Sequence, residues 1–262
     1  MTRTREYRCT TYDAARVTTE QGHCMSAMEP KRPPTASHRS GDEFATQLRG
    51  FGPLGLIAVV VILLSGTAHF HSWAIPVGAL LALAWVRLSG SPWRDIGYSK
   101  PKSWIAAVVI GVVFGVLLKI LLKAVLLPLL AADPANQAFR FLRGNRGVLP
   151  AAIWTMLMAG FGEETVFRGF LFERLNKLIG SSISAKVFTV LFTSACFAGA
   201  HYSLQGVVGV QQAAVTGLAL GTAFALTGQI WIPMIAHAAF DLTALAIIYW
   251  NLEAAVAHLI FK

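Results

Sequence analysis

The feature that most limits the fold of this chain is a succession of long apolar blocks joined by short polar connections. They cover about 51–68, 74–88, 104–130, 148–167, 187–202, 206–227 and 230–250. Each approaches the roughly 20 residues that a helix needs to cross a bilayer. Inside the blocks apolar residues run on without alternating. That excludes the strands of a membrane β-barrel, whose lipid-facing and lumen-facing residues alternate. Composition agrees: 55% of the 262 residues are hydrophobic and only 13% are charged. A soluble domain carries roughly 25% charged residues, and the mean hydropathy here is +0.57. The sequence therefore predicts an all-α fold, a polytopic transmembrane bundle of about seven or eight helices. It would be multi-pass in the cell membrane, with membrane lipids as partners.

Residues 1–48 have a different character: they are rich in Thr, Arg and Ser, with Pro30, Pro33 and Pro34. They hold no apolar run of the kind a secretory signal needs, and their composition predicts a disordered tail. The chain is thus read as a polar tail, 1–48, and a helical domain, 49–262. The three cysteines, Cys9, Cys24 and Cys196, match neither a disulfide framework nor a metal knuckle. A net charge of +9 would suit nucleic acid, but no basic stripe with interleaved aromatics appears, and no nucleic-acid partner is expected. Basic residues collect instead in the connections 87–102 and 168–186, two spans apart and hence on one side. Lys and Arg accumulate in loops that stay cytoplasmic, which places both connections and the N-terminus in the cytoplasm. Residues 131–147, with Arg140, Arg143 and Arg146 against Asp133, run against that bias on the outer side. Lys119 and Lys123, one turn apart near the end of the third block, are expected to snorkel to the interface.

Against this background, a few polar side chains inside the apolar blocks stand out. Ionisable groups in membrane spans cost roughly 2.5–3.5 kcal/mol each, so they face interior cavities and serve a function. Glu163 and Glu164 lie in Met-Ala-Gly-Phe-Gly-Glu-Glu-Thr-Val-Phe-Arg (158–168), His201 ends Ala-Cys-Phe-Ala-Gly-Ala-His, and His237 opens His-Ala-Ala-Phe-Asp. On a helix Arg168 falls near Glu164 in angle and far from Glu163, so Glu164 and Arg168 form an i,i+4 ion pair. Glu163 lacks that local partner and is the candidate general base, although both acids bonding to Arg168 and loop donors would fit as well. Phe197 and His201 are i,i+4, so the ring can fix the imidazole; such a histidine is also a common core residue. His237 and Asp241 share the same spacing, and Asp241 could orient the imidazole or stabilise its charge. Two histidines and a carboxylate pair can hold a divalent metal or activate water directly. Neither His-Glu-x-x-His nor Gly-x-Ser-x-Gly occurs. Ser194 lies too far along the helix from His201 for a direct hydrogen bond, and Cys196 has no cationic neighbour in sequence to activate it.

The stretches Glu-Glu-Thr-Val-Phe-Arg-Gly (163–169), Phe-Ala-Gly-Ala-His (197–201) and His-Ala-Ala-Phe-Asp (237–241) resemble the three motifs of the CPBP family. That family of intramembrane proteases includes the type II CAAX prenyl endopeptidases and the bacterial Abi proteins. Trp93-Arg-Asp-Ile-Gly-Tyr is similar to the Trp-x-x-Leu-Gly-Leu stretch common there, and the resemblance spans about 90–250. It implies a membrane-embedded endopeptidase acting on a peptide or protein substrate, lipidated in some members. It further implies Glu163 as the base, His201 as its partner, and His237 with Asp241 at the oxyanion, with Glu164 beside them and Arg168 as a structural partner. A zinc ion on Glu163, His201 and His237 is the cofactor this resemblance raises. Asp241 stands where prenyl endopeptidases typically have Asn, a departure that counts against true prenyl-CAAX specificity and that bacterial members commonly tolerate. The reading from another class is a non-catalytic membrane scaffold or bacteriocin-immunity protein on the same fold.

Overall fold

Each apolar block folds as a helix, and the residues at its ends show why it starts and stops there. The computed structural model describes residues 36–67, 74–130, 132–133 and 135–261, and every regular element among them is helical. In chain order the helices are α1 (Ala36–Arg49), α2 (Pro53–Thr67), α3 (Ala74–Ser89), α4 (Trp104–Leu129), α5 (Leu149–Glu164), α6 (Phe172–Ile179), α7 (Ile183–Ala200), α8 (Tyr202–Thr227), α9 (Trp231–Tyr249) and α10 (Glu253–Ala257). Ser103 and Ser182 cap α4 and α7 by accepting from Ala106 N and Ala185 N, both at 3.2 Å. Each satisfies one of the backbone donors that a helix start leaves open. Gly180 and Gly228, both at positive φ, follow the ends of α6 and α8, a conformation that glycine adopts without a Cβ penalty.

Four helices, α4, α7, α8 and α9, are long and apolar enough to cross a membrane. A fifth span arises if Gly41–Arg49 and Pro53–Ser65, bent by 59°, count as one. Every apolar block approaches spanning length in sequence, yet α2, α3 and α5 have 15, 16 and 16 residues. For α5 the shortfall is one of pitch, because the chain continues without a break as a π turn, Thr165–Leu171, into α6. Residues 36–48 of the polar tail form most of α1, which the sequence reading did not anticipate; Trp85 Nε1 donates to Leu48 O at 3.0 Å and anchors its end. Residues 1–35 and the connection with His69 and His71 lie outside the described residues, as do Cys9 and Cys24.

Two polar features depart from expectation. Arg168, read as part of a basic connection, is buried within the π turn. Lys119 and Lys123 do not snorkel, for they are 6% and 4% exposed. Lys119 Nζ donates to Gln212 Oε1 of α8 at 3.2 Å, and Lys123 pairs with Glu253 of α10 at 3.2 Å. Acceptors inside the bundle, invisible from α4 alone, draw both inward, while Ile105, Val109, Val113 and Leu117 of the same helix face outward.

Helix α9 is the central element of the site. On one side Gly111 and Gly115 of α4 press against it, and a Cβ at Gly115 would overlap the backbone of Ala236. On the other side a Cβ at Gly160 of α5 would sit 2.9 Å from Ala238 N and Met234 O. Small residues spaced four apart let apolar helices approach this closely. Below them the turn Trp93–Ile96 tucks Ile96 against the π turn, and Gly97 O accepts from Ile230 N at 3.0 Å.

Candidate active site

Glu163 and Glu164 occupy the last turn of α5, immediately before the pitch widens. π turns inside helices recur at functional sites, and all seven residues of this one are buried. Across the change of pitch Arg168 Nη1 donates to Glu164 Oε1 at 2.7 Å, the expected ion pair. Arg168 Nη2 donates to Gly217 O of α8 at 3.3 Å, and the guanidinium lies 4.5 Å from the centre of the Phe197 ring of α7. One buried cation therefore links three helices.

Glu164 has a second partner. Its Oε1 accepts from His237 Nδ1 at 2.8 Å, giving a continuous line from Gly217 O through Arg168 and Glu164 to His237. The sequence reading offered Asp241 for orienting His237. Asp241 Oδ2 instead stands 3.6 Å from the opposite nitrogen, Nε2, beyond hydrogen-bond length. The close approach of α5 to α9 at Gly160 brings Glu164 against Nδ1, so orientation comes from a neighbouring helix.

Glu163 Oε2 lies 3.9 Å from His237 Nε2. Nε2 thus faces two carboxylates, Glu163 and Asp241, while Nδ1 is held from behind. His201 caps the end of α7, and its Nδ1 lies 2.9 Å from Phe197 O. A carbonyl can only accept, so Nδ1 carries the proton and Nε2 is the acceptor of this imidazole. The Phe197 ring packs 4.7 Å from His201 and edge-on 5.8 Å from His237, so one side chain fixes both rings. Glu163, His201, His237 and Asp241 all line one cavity of about 420 Å³. Glu164 is not among its lining residues; it lies behind His237, fully buried.

The floor of the site was only half visible in the sequence. Thr165 donates to Phe161 O at 2.6 Å, so its hydroxyl accepts from Tyr98, whose oxygen is 2.7 Å away. Burial pushes the Tyr98 hydroxyl up to about 12, which keeps it protonated as that donor. Trp231 Nε1 donates to Ser99 O at 2.8 Å and its ring meets Tyr98 edge-on. The Trp-x-x-Ile-Gly-Tyr stretch therefore ties the start of α9 to the π turn that follows the two glutamates. Lys119, which also lines the cavity, was missed because its partners come from α8 and α9.

Among the described residues no group of three or more His, Cys, Asp or Glu side chains is arranged to hold a metal ion. Glu163, His201 and His237 thus make no ready ligand set for zinc. A buried carboxylate and two imidazoles share the cavity, with His237 held at Nδ1 by Glu164.

Residues 145–243 match the family model described as Rce1-like, type II CAAX prenyl endopeptidase Rce1-like. The matched segment runs from the connection before α5 into α9 and contains all five candidate site residues and Arg168. Comparison with curated proteins and with solved structures found no match.

Proposed function

We propose that this chain, whose residues 145–243 match the Rce1-like CAAX endopeptidase model, is a membrane-embedded peptidase that hydrolyses a peptide bond with water activated by Glu163. The observation that carries the reading is the pair of environments around His237: Glu164 holds Nδ1 at 2.8 Å while Glu163 and Asp241 face Nε2 in the cavity. A bare structural histidine needs one partner; here a second carboxylate and an open volume lie on its other side.

In the proposed reaction Glu163 and His201 Nε2 hold a water, and Glu163 takes its proton as the oxygen attacks the scissile carbonyl. The carbonyl oxygen becomes negative facing His237 and Asp241. Because Nδ1–H is committed to Glu164, His237 presents an Nε2–H only as the imidazolium, a charge that the Asp241 carboxylate supports. Donors aimed at developing charge in a dry site contribute strongly, about 10²–10³ in turnover each. Glu163 then returns the proton to the leaving amine. The four charged or polar groups act in a cavity screened by apolar helices, where electrostatic effects exceed those in water. No step here calls on a metal.

The test uses purified protein in detergent, a proteome-derived peptide library and mass spectrometry of new termini. Glu163→Gln removes the base and keeps the shape, so cleavage should fall by about 10²–10⁴ while the unfolding midpoint is kept. The metal chelator 1,10-phenanthroline should leave wild-type cleavage intact. Loss of activity with the chelator would make zinc part of the site, full activity in Glu163→Gln would remove Glu163 as the base, and no cleavage by the wild type would favour a non-catalytic scaffold.

A further inference from the structure

The peptidase reading leaves one buried charge without a task. Lys119 is 6% exposed and lines the cavity that holds Glu163 and His237. It also lines an adjoining cavity of about 410 Å³, shared along Gln205, Gln212 and Asn136. Among the described residues its one hydrogen bond goes to a neutral acceptor, Gln212 Oε1 at 3.2 Å, and its ammonium stands 4.5 Å from the centre of the Phe240 ring. The carboxylates whose charge reaches it, Asp241 and Glu253, are engaged elsewhere. Asp241 faces His237 at 3.6 Å, and Glu253 pairs with Lys123 at 3.2 Å and Arg143 at 3.3 Å. An ammonium has three donors, and a buried cation normally meets an anion.

We propose that Lys119 is the seat of a carboxylate carried by the peptide substrate, whether its C-terminus or an acidic side chain. The proposal rests on the peptidase reading for the presence of a peptide in the cavity. Position sets the distance from the chemistry. Gly115 packs on Ala236, next to His237, and Lys119 lies one turn further along α4, about 6 Å. An extended chain covers that in about two residues, so the anion lies within two or three residues of the scissile bond. Gln205 and Gln212 offer amide donors to the same oxygens.

The experiment measures binding to the Glu163→Gln protein in phosphatidylcholine nanodiscs, which keeps the site and removes turnover. The probes are hydrophobic hexapeptides in matched pairs: free C-terminus against C-terminal amide, and internal Glu against Gln. A charge-assisted bond to a buried ammonium predicts that one carboxylate member of a pair binds about tenfold tighter or more than its neutral twin. The pair that discriminates identifies the source. Adding Lys119→Met should bring that ratio below about twofold, and Lys119→Arg should retain most of it. Equal binding of acid and neutral twins to Glu163→Gln overturns the proposal even if Lys119→Met fails to fold, as does a preference that survives Lys119→Met. Stabilisation by phosphatidylglycerol without any peptide preference overturns it in favour of a lipid site. A wild-type protein that cleaves nothing while its Glu163→Gln form keeps the preference removes the peptidase reading and supports this seat.

Discussion

Glu164 serves two partners with one oxygen, and a neutral isostere that kept both bonds would still lose the charge opposite Arg168. Its Oε1 accepts from Arg168 at 2.7 Å and from His237 at 2.8 Å. In Glu164→Gln a single amide oxygen remains while the charge opposite a fully buried guanidinium is lost. Stranding one partner of a buried ion pair costs about 3–5 kcal/mol. Glu164→Gln should therefore lower the yield of monodisperse protein in detergent and its unfolding midpoint, whereas Glu163→Gln should change neither. Equal yield and midpoint for the two variants would mean that Arg168 does not depend on Glu164. The i,i+4 pair was legible from sequence because both residues share one helix face. The His237 contact was not, since it joins residues 73 apart in the chain. Lys119 and Lys123 misled for the same reason: a lysine near the end of an apolar block suggests snorkelling until the acceptors on α8 and α10 are known.

At the scale of elements, the position of α9 decides whether His237 and Asp241 meet the glutamates. α9 is set by backbone approach at Gly111 and Gly115 on α4 and at Gly160 on α5. Gly115→Ala would drive a methyl into the Ala236 backbone, one residue before His237, where a flexible side chain is not available to yield. Overpacking of this kind costs about 1–3 kcal/mol, and the shift it forces should reduce turnover more than peptide binding. Gly199→Ala is the control: nothing lies within 4 Å of a Cβ there, so it should match or slightly exceed the wild type in stability, by up to about 1 kcal/mol. Thermal midpoints and kcat of both variants check this; a Gly115→Ala protein with wild-type kcat would show that α9 tolerates displacement. Helix existence was legible in the apolar blocks, because long apolar runs leave few other folds, but not for α6, which falls in the basic connection 168–186. Pitch was not. The π turn at Thr165–Leu171 depends on all seven of its residues finding buried places among other helices, which no local periodicity encodes.

The molecule has two unlike ends, and along α5 the cavity lining runs from Glu163 toward one of them. Ile230 N bonds Gly97 O, so the α3–α4 connection and the α8–α9 turn share an end. The π turn and the start of α6 join them there through Ile96 against Gly169 and Phe172 against Phe224. That end exposes Arg87, Arg94, Lys100, Lys102, Lys177 and Lys186. The opposite end exposes Arg140, Arg143 and Arg146, with Asp133 exposed and Glu253 buried beside Arg143. Excess Lys and Arg mark the cytoplasmic side, so the first end should lie in the cytoplasm. Along α5 the cavity lining steps through Glu163, Ala159, Thr155, Ala152 and Val148, one turn at a time, away from that end and up to Phe141 and Leu142. A peptide should accordingly reach Glu163 from outside the cytoplasm. Cysteine substitution tests the direction in a background where Cys9, Cys24 and Cys196 are replaced by Ala. Phe141, at the mouth and 59% exposed, should react as Phe141→Cys with a membrane-impermeant maleimide on intact cells. Arg94→Cys, 81% exposed at the side chain of the native residue, should react only after permeabilisation. The reverse pattern would put the mouth in the cytoplasm and show that the three arginines at 140–146 outweigh the longer basic connections in setting orientation.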